Sequence, residues 1–219
     1  MIEVVRDRLR LRFHRPGHDP DDDEASGSEP TPEVEFVAYA VDCRLYGRLR
    51  LAGDRLTDML NACEEYVLVD VLAESLDSGE VVETAEVVVR RDELVAVEAS
   101  GPRGKTERRV RTRQHPLGLK AGPYLVEGYL HAGVGMDPLV AVRRRGPMVP
   151  MTDARIAYVS GGVRQLRDAV TILVNRDQAE WIAPAASDDE VAFPDVPVDP
   201  DRGPLLKDFT GQLWGISPD

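Results

Sequence analysis

Val37, Tyr39, Val41, Cys43, Leu45, Gly47, Leu49 and Leu51 fall at every second position, with Asp42, Arg44, Arg48 and Arg50 on the positions between. A period of two is that of a strand with one buried face. Residues 37–51 are therefore predicted to form one long bent strand, or two, with the charged set facing solvent and Gly47 marking a bulge or sharp bend. Arg55 to Asn61 breaks the alternation: Leu56, Met59 and Leu60 are spaced i, i+3, i+4, which predicts about two turns of helix. Tyr66 to Ser75 predicts a second strand region, Asp77-Ser78-Gly79 a hairpin turn, Val81 to Arg90 a third strand, Arg91-Asp92-Glu93 a tight turn and Leu94 to Glu98 a short last strand. Upstream, Arg8 to Phe13 alternates arginine with apolar residues and predicts a further strand. Pro16 to Pro32, rich in Asp, Gly, Ser and Pro, is predicted to be disordered.

The same order of landmarks returns from Tyr124. Glu127-Gly128-Tyr129-Leu130 parallels Tyr46-Gly47-Arg48-Leu49, Pro138 to Val142 stands where the short helix stood, and Pro150 to Ala154 parallels Val67 to Val71. Ser160-Gly161-Gly162 is the matching hairpin turn, Ile172 to Asp177 parallels Val87 to Asp92, and Glu180-Trp181-Ile182 closes the unit. This reads as an internal repeat. A unit of some 60 residues buries only about 60% of the surface its unfolded chain exposes, so two units packed together make a better core than either alone. The organisation read from the chain is an N-terminal strand and acidic loop (1–35), a first unit (36–100), a basic linker (101–123), a second unit (124–183) and an acidic, proline-rich tail (184–219) that ends in an apolar peptide.

Charge is distributed unevenly. Net charge is −5 over 1–35, −8 over 36–100, +7 over 101–183 and −6 over 184–219. Either this is solubility with internal complementarity, or a basic surface is masked by acidic tails. Aromatics make up 5% of the residues, so the core must be built of Val, Leu, Ile and Ala. No apolar run is long enough to span a membrane and the N-terminus has no signal-peptide run, so the cytoplasm is the expected compartment. Cys43 and Cys63 lack metal-like spacing and read as buried hydrophobes.

Four stretches invite a chemical reading. Ala99 to Thr106 fits a relaxed phosphate loop, but Pro102 removes a backbone donor and no helix can pack after Thr106. His14 and His18 beside Asp19 to Glu24 are metal-ligand types without geometry, and Asp199 and Asp201 near Gly203 are a fragment of a calcium loop. His115 and His131 have no nucleophile beside them that the pattern reveals. Asp70 and Asp153 recur at equivalent positions, which favours a turn or cap role. No catalytic set, cofactor or metal site is expected. Arg143-Arg144-Arg145, with Arg108, Arg109 and Arg111, forms a solvated basic surface or an anion contact. At the C-terminus Leu206, Phe209 and Leu213 fit one helical face beside Trp214. That peptide either docks on its own chain or enters a partner's groove.

Gly47-x-Leu49, Asp58-Met59-Leu60-Asn61 and Val87-Val88-Val89-Arg90-Arg91-Asp92-Glu93-Leu94 together resemble the two-part signature of Sm-like small β-barrels, and look closer still to an uncharacterised bacterial branch of them. Arg91 stands where that family has glycine, and the second unit has Val140 and Ala141 near the Asn61 position and Asn175 at the Arg90 position. The resemblance implies an all-β protein of two five-stranded Sm-like (SH3-like) barrels in tandem, each with a short helical turn. It also implies ring assembly and RNA contacts at Asn61 and Arg90. The leading expectation is a non-enzymatic protein-interaction or assembly module that pairs with another protein or with itself. Nucleic-acid binding through the basic 101–146 region is the alternative, and a ligand-binding or enzymatic role in a cleft between the units is the third reading.

Overall fold

The computed structural model describes residues 32–100 and 111–185. The first half runs β1 (Glu33–Ala40), β2 (Cys43–Arg50), helix α1 (Leu56–Ala62), β3 (Glu65–Ser75), β4 (Val81–Arg90) and β5 (Leu94–Glu98). The second runs β6 (Thr112–Ala121), β7 (Tyr124–Gly133), helix α2 (Pro138–Arg144), β8 (Met148–Ser160), β9 (Val163–Asn175) and β10 (Trp181–Pro184). A single 3₁₀ turn links β4 to β5 (Arg91–Glu93) and another links β9 to β10 (Arg176–Gln178). The ten strands form one antiparallel sheet in the order β10-β6-β7-β8-β9-β5-β1-β2-β3-β4. Within each half the last strand lies beside the first, so both halves read fifth, first, second, third, fourth.

The protein is all-β, as the alternation predicts, but the ladder does not close on itself. The reason lies in β5. One edge of β5 pairs with β1, and the other is taken by β9 of the second half, at Ala96↔Val174, Val97↔Leu173 and Glu98↔Ile172. An edge already hydrogen-bonded across the seam is not free to close its own half.

Two apolar cores flank this seam, and each borrows from the other half. Phe36, Leu45, Leu49, Leu60, Leu68 and Val87 are joined in the first core by Met148 and Leu173. Leu117, Leu119, Val126, Leu130 and Ile156 are joined in the second by Tyr39, Leu76, Val95 and Ala96. Leu94 to Val97 are accordingly buried at four consecutive positions, the pattern of a strand covered on both faces.

Of the two readings of 37–51, one long bent strand or two, the structure shows two, joined as a hairpin. Its turn falls at Val41 and Asp42, and Val41 is 55% exposed. Ala38 pairs with Leu45 and Tyr39 with Arg44, so the first core switches from even positions on β1 to odd positions on β2. From Val37 onwards the odd positions stay apolar on both strands only because β1 is buried on both faces. On β1 the first core takes Val34, Phe36 and Ala38, while Val37 and Tyr39 face the second. The expected 101–123 linker also needs correction, because 112–121 is β6, the first strand of the second half. Leu117, Leu119 and Ala121 carry its buried alternation, hidden in the sequence behind Arg113, His115 and Pro116. Likewise β1 begins at Glu33, ahead of the expected start of the first unit at 36.

Gly47 and Gly128 sit at matching bulges. Opposite them, Asp70 and Asp153 adopt left-handed φ values of 51° and 46°, rare for residues within strands. A Cβ on Gly47 would lie 3.0 Å from the Val69 carbonyl oxygen, and one on Gly128 would lie 3.1 Å from both the Cα of Ala154 and the Thr152 carbonyl oxygen. These contacts are with backbone, which cannot move aside cheaply. Gly128→Ala is expected to destabilise the fold by about 1–3 kcal/mol, read as a lower urea midpoint with unchanged slope. Gly47→Ala, at the same place in the first half, is expected to do the same.

Candidate functional site

The residues that hydrogen-bond most intensively lie along the seam. Asn61, near the end of α1, donates its amide to the Thr57 carbonyl at 2.9 Å and the Met148 carbonyl at 3.0 Å, and accepts from the Met148 N–H at 2.9 Å. Its side chain is thus engaged in tying α1 to β8. Asn175, 2% exposed, returns the tie: it donates to the carbonyls of Arg91 at 3.1 Å and Leu94 at 2.9 Å. Arg91 donates to the carbonyls of Asn61 and Cys63, and Gln178 donates to the Asp92 carbonyl. Arg90 faces elsewhere, in a two-bond pair with Asp92 at 3.0 and 2.8 Å. Asn61 and Arg90, joined by the Sm-like resemblance, therefore serve different partners.

Beneath the seam sits a charge the alternation places in solvent. Arg44 is 1% exposed, because the second half covers what would be the polar face of β2. Its Nη1 donates to Glu74 Oε2 at 3.1 Å, and Glu74 Oε1 accepts from the Ser160 hydroxyl at 2.7 Å. Among the described residues Nε and Nη2 have no hydrogen-bond acceptor. The guanidinium instead lies over the rings of Tyr46, Tyr158 and Tyr39, at 4.7, 5.0 and 5.2 Å from their centroids, and their negative faces supply part of the missing counter-charge. Tyr39, Tyr124 and Tyr158 form a triangle with centroids 5.4–5.8 Å apart. The Tyr124 hydroxyl donates to the carbonyls of Ala40 and Cys43, and that of Tyr39 to Glu98 at 2.5 Å. Burial, with Glu98 beside it, holds the Tyr39 phenol well above its ordinary pKa; burial likewise raises Tyr124, and pushes Tyr158 up to about 12.

Above the seam an open cleft of about 820 Å³ is walled by Arg55, Thr57 and Asn61 on one side and by Thr112, Gln114, His131, Arg145, Thr152 and Asp153 on the other. His131 is held between the Thr112 hydroxyl (Nδ1, 3.3 Å) and the Thr152 hydroxyl (Nε2, 2.8 Å). Arg145 donates to the His131 carbonyl, and its burial lowers its guanidinium from the usual value. Of the arginine triplet, Arg143 and Arg144 are exposed on the last turn of α2 and only Arg145 reaches the cleft. Arg111 is exposed just before β6. Arg108, Arg109, Leu206, Phe209, Leu213 and Trp214 lie outside the described residues, as do His14, His18, the Asp199–Asp201 fragment and most of the phosphate-loop-like stretch. Among the described residues no group of three or more His, Cys, Asp or Glu side chains could hold a metal, and no helix is long and apolar enough to cross a membrane. Cys43 and Cys63 are free thiols, the first buried and the second half-buried.

At the two ends of the sheet, β4 and β10 each have a strand on one side only among the described residues. Beyond Glu83 and Glu86, β4 carries an uncharged run, Val87-Val88-Val89, and β10 presents Trp181 at 42% exposure. Neither edge is visible as such in the sequence, because strand order is a property of long-range pairing. No family model, curated protein or solved structure matches the chain.

Two outcomes follow from the buried charge and its tyrosines. Glu74→Ala leaves Arg44 buried without its carboxylate and is expected to cost about 3–5 kcal/mol in equilibrium unfolding. Raising the pH should also unfold the protein. Unfolded tyrosines ionise near 10, whereas burial pushes folded Tyr158 up to about 12, and does the same to Tyr66 of the first core, whose hydroxyl donates to the Leu60 and Cys63 carbonyls. Their contribution is therefore complete below pH 10 and lost between about pH 10 and 12. Tyrosinate absorbance and circular dichroism should change together in that window.

Proposed function

We propose that the chain is a non-enzymatic interaction or assembly module, built from two tandem Sm-like units, 33–98 and 112–184. Several features support two copies of one unit. Both halves share the strand order, the helix between second and third strands, the glycine–aspartate bulge and the 3₁₀ turn before the last strand. The observation that carries the function is the pair of open edges at β4 and β10. Unpaired strand edges recruit another strand unless they are blunted, and neither Val87 to Val89 nor Trp181 and Ile182 carries a charge that would repel one.

In an extract of its own cells the chain should travel in a complex larger than a monomer. Val88→Lys or Trp181→Lys should shift it to smaller size while leaving its circular dichroism unchanged. A chain that runs as a monomer both in extract and when purified overturns the reading.

The cleft supports a second reading, because Arg55 and Arg145 face Asp153 as the one carboxylate among the residues walling it. Contact there with the phosphates of single-stranded RNA would weaken steeply with salt and fall in Arg55→Ala. The absence of RNA binding at low salt would end it.

A further inference from the structure

We propose that the cleft above the seam binds a small phosphorylated sugar, with Arg55 and Arg145 taking the phosphate and Asp153, Gln114 and Tyr129 taking the sugar. This site lies apart from the open edges and goes beyond the assembly reading. The two halves carry the same patch at matching register and build it from different residues. In the first half the patch is an ion network. Arg48 bonds both Glu33, at 3.0 Å, and Asp70, and Arg50 lies 3.5 Å from Glu33. Gly47 and Gly128 occupy the matching bulges, so Tyr129 stands where Arg48 stands and His131 where Arg50 stands. Arg50 pairs with Glu33 and His131 with Gln114, while Asp153 matches Asp70 in place and in its left-handed φ. The second half therefore has the carboxylate without its arginines, and a phenol, an imidazole and a carboxamide at the other positions. Among the described residues Asp153 has no ion pair.

The bulge turns these groups to one side. Met151 and Ala154 both face the second core, as do Ile172 and Ala169. The two residues between them on each strand, Thr152 with Asp153 and Val170 with Thr171, therefore turn outward and line the cleft. Tyr129, 39% exposed, is the cross-strand partner of Thr152, which sets it beside them. His131 is held by the hydroxyls of Thr112 and Thr152, and a threonine that accepts from the ring keeps its own hydroxyl proton to donate to a ligand. A carboxylate, a carboxamide and hydroxyls suit the hydroxyls of a sugar, and an exposed phenol ring suits its apolar C–H face. Arg55 and Arg145 also line the cleft, without an ion pair among the described residues. Arg145 is half-buried and spends one bond, on the His131 carbonyl, and a guanidinium so placed is a strong partner for phosphate. Asp153 would repel a run of phosphates but accepts from sugar hydroxyls, which favours one phosphate on a small ligand over the backbone of RNA. The volume of about 820 Å³ is within the range of about 300–1,000 Å³ usual for small-ligand sites.

The test is calorimetric titration of the full-length chain with ribose 5-phosphate, glucose 6-phosphate and fructose 6-phosphate, each beside its unphosphorylated sugar, and with inorganic phosphate. At least one ester should bind once per chain, at least tenfold more tightly than its parent sugar or phosphate alone. Arg55→Ala should weaken that ester about tenfold. Asp153→Asn removes the charge with a residue that tolerates the left-handed backbone, and should weaken it about as much. Tyr129→Arg gives Asp153 the partner that Asp70 has in Arg48, and should abolish ester binding without lowering the urea midpoint, which separates a ligand role from a structural one. Should Asp153→Asn fail to fold, Tyr129→Arg decides alone. An absence of binding to all three esters at millimolar concentration overturns the proposal. So does inorganic phosphate that binds as tightly as any ester, or ester binding that Tyr129→Arg leaves intact. A cleft that takes no ester but binds an oligoribonucleotide more tightly in Tyr129→Arg overturns it in favour of the RNA reading. None of these results touches β4 or β10, so the assembly reading is decided separately.

Discussion

A positive charge with almost no access to water organises the centre of this protein. Isolating the Arg44 guanidinium from solvent is tolerable only because Glu74, the Ser160 hydroxyl behind it and three tyrosine rings surround it. Those groups come from both halves of the chain: Tyr39, Tyr46 and Glu74 from the first, Tyr158 and Ser160 from the second. The charge therefore requires the halves to stand in one relation to each other. Burial of an ion pair is a poor source of stability in itself and a better source of specificity. Here it selects one seam out of the many ways two β-rich halves could slide past each other.

Around that centre the remaining ties are directional. Asn61 reaches from α1 to Met148, Asn175 reaches back to the turn before β5, and Tyr124 reaches the carbonyls at the end of β1 and the start of β2. The Arg167 guanidinium lies 4.0 Å from Glu98 and bonds the Tyr46 hydroxyl, adding a partly exposed outer layer. Three ladder pairs alone would be a weak hinge. With side chains bridging on both sides of it, the β5–β9 seam behaves as the interior of one sheet.

Much of the local structure was legible in the chain. The limits of β4 and β5 follow from the Asp77-Ser78-Gly79 turn and from Arg91 to Glu93, and the short helix follows from Leu56, Met59 and Leu60. Gly47 pointed to a bulge, which is there, whereas Asp70, expected in a turn or cap, lies within β3 opposite that bulge with a left-handed φ. What escaped were features decided at long range. The Val41–Asp42 turn left no trace because the second half covers the other face of β1, so Val37 and Tyr39 are apolar although the first core takes the even positions there. β6 was concealed by Arg113, His115, Pro116 and Lys120. Arg44 sits on the formally polar side of its strand, and only the arrival of residues more than a hundred positions downstream makes that side interior. Asn61 was singled out for its chemistry, and the structure uses that chemistry inward, on Met148, before any outside ligand can claim it. The open edges, on which the functional reading turns, have no sequence signature beyond a run of three valines.

The interleaving of the two cores has a consequence for how the molecule is made. A ribosome delivers β1 to β5 before β6 to β10 exist. During that interval Tyr39, Val95 and Ala96 lack the second-half members of their core, the outer edge of β5 is bare, and Arg44 lacks part of its shelter. The nascent first half is thus a sticky, unfinished sheet whose proper complement is still inside the exit tunnel. On polysomes, where many such halves emerge side by side, the time needed to synthesise the next ninety or so residues sets how long each must wait for its own second half rather than a neighbour's.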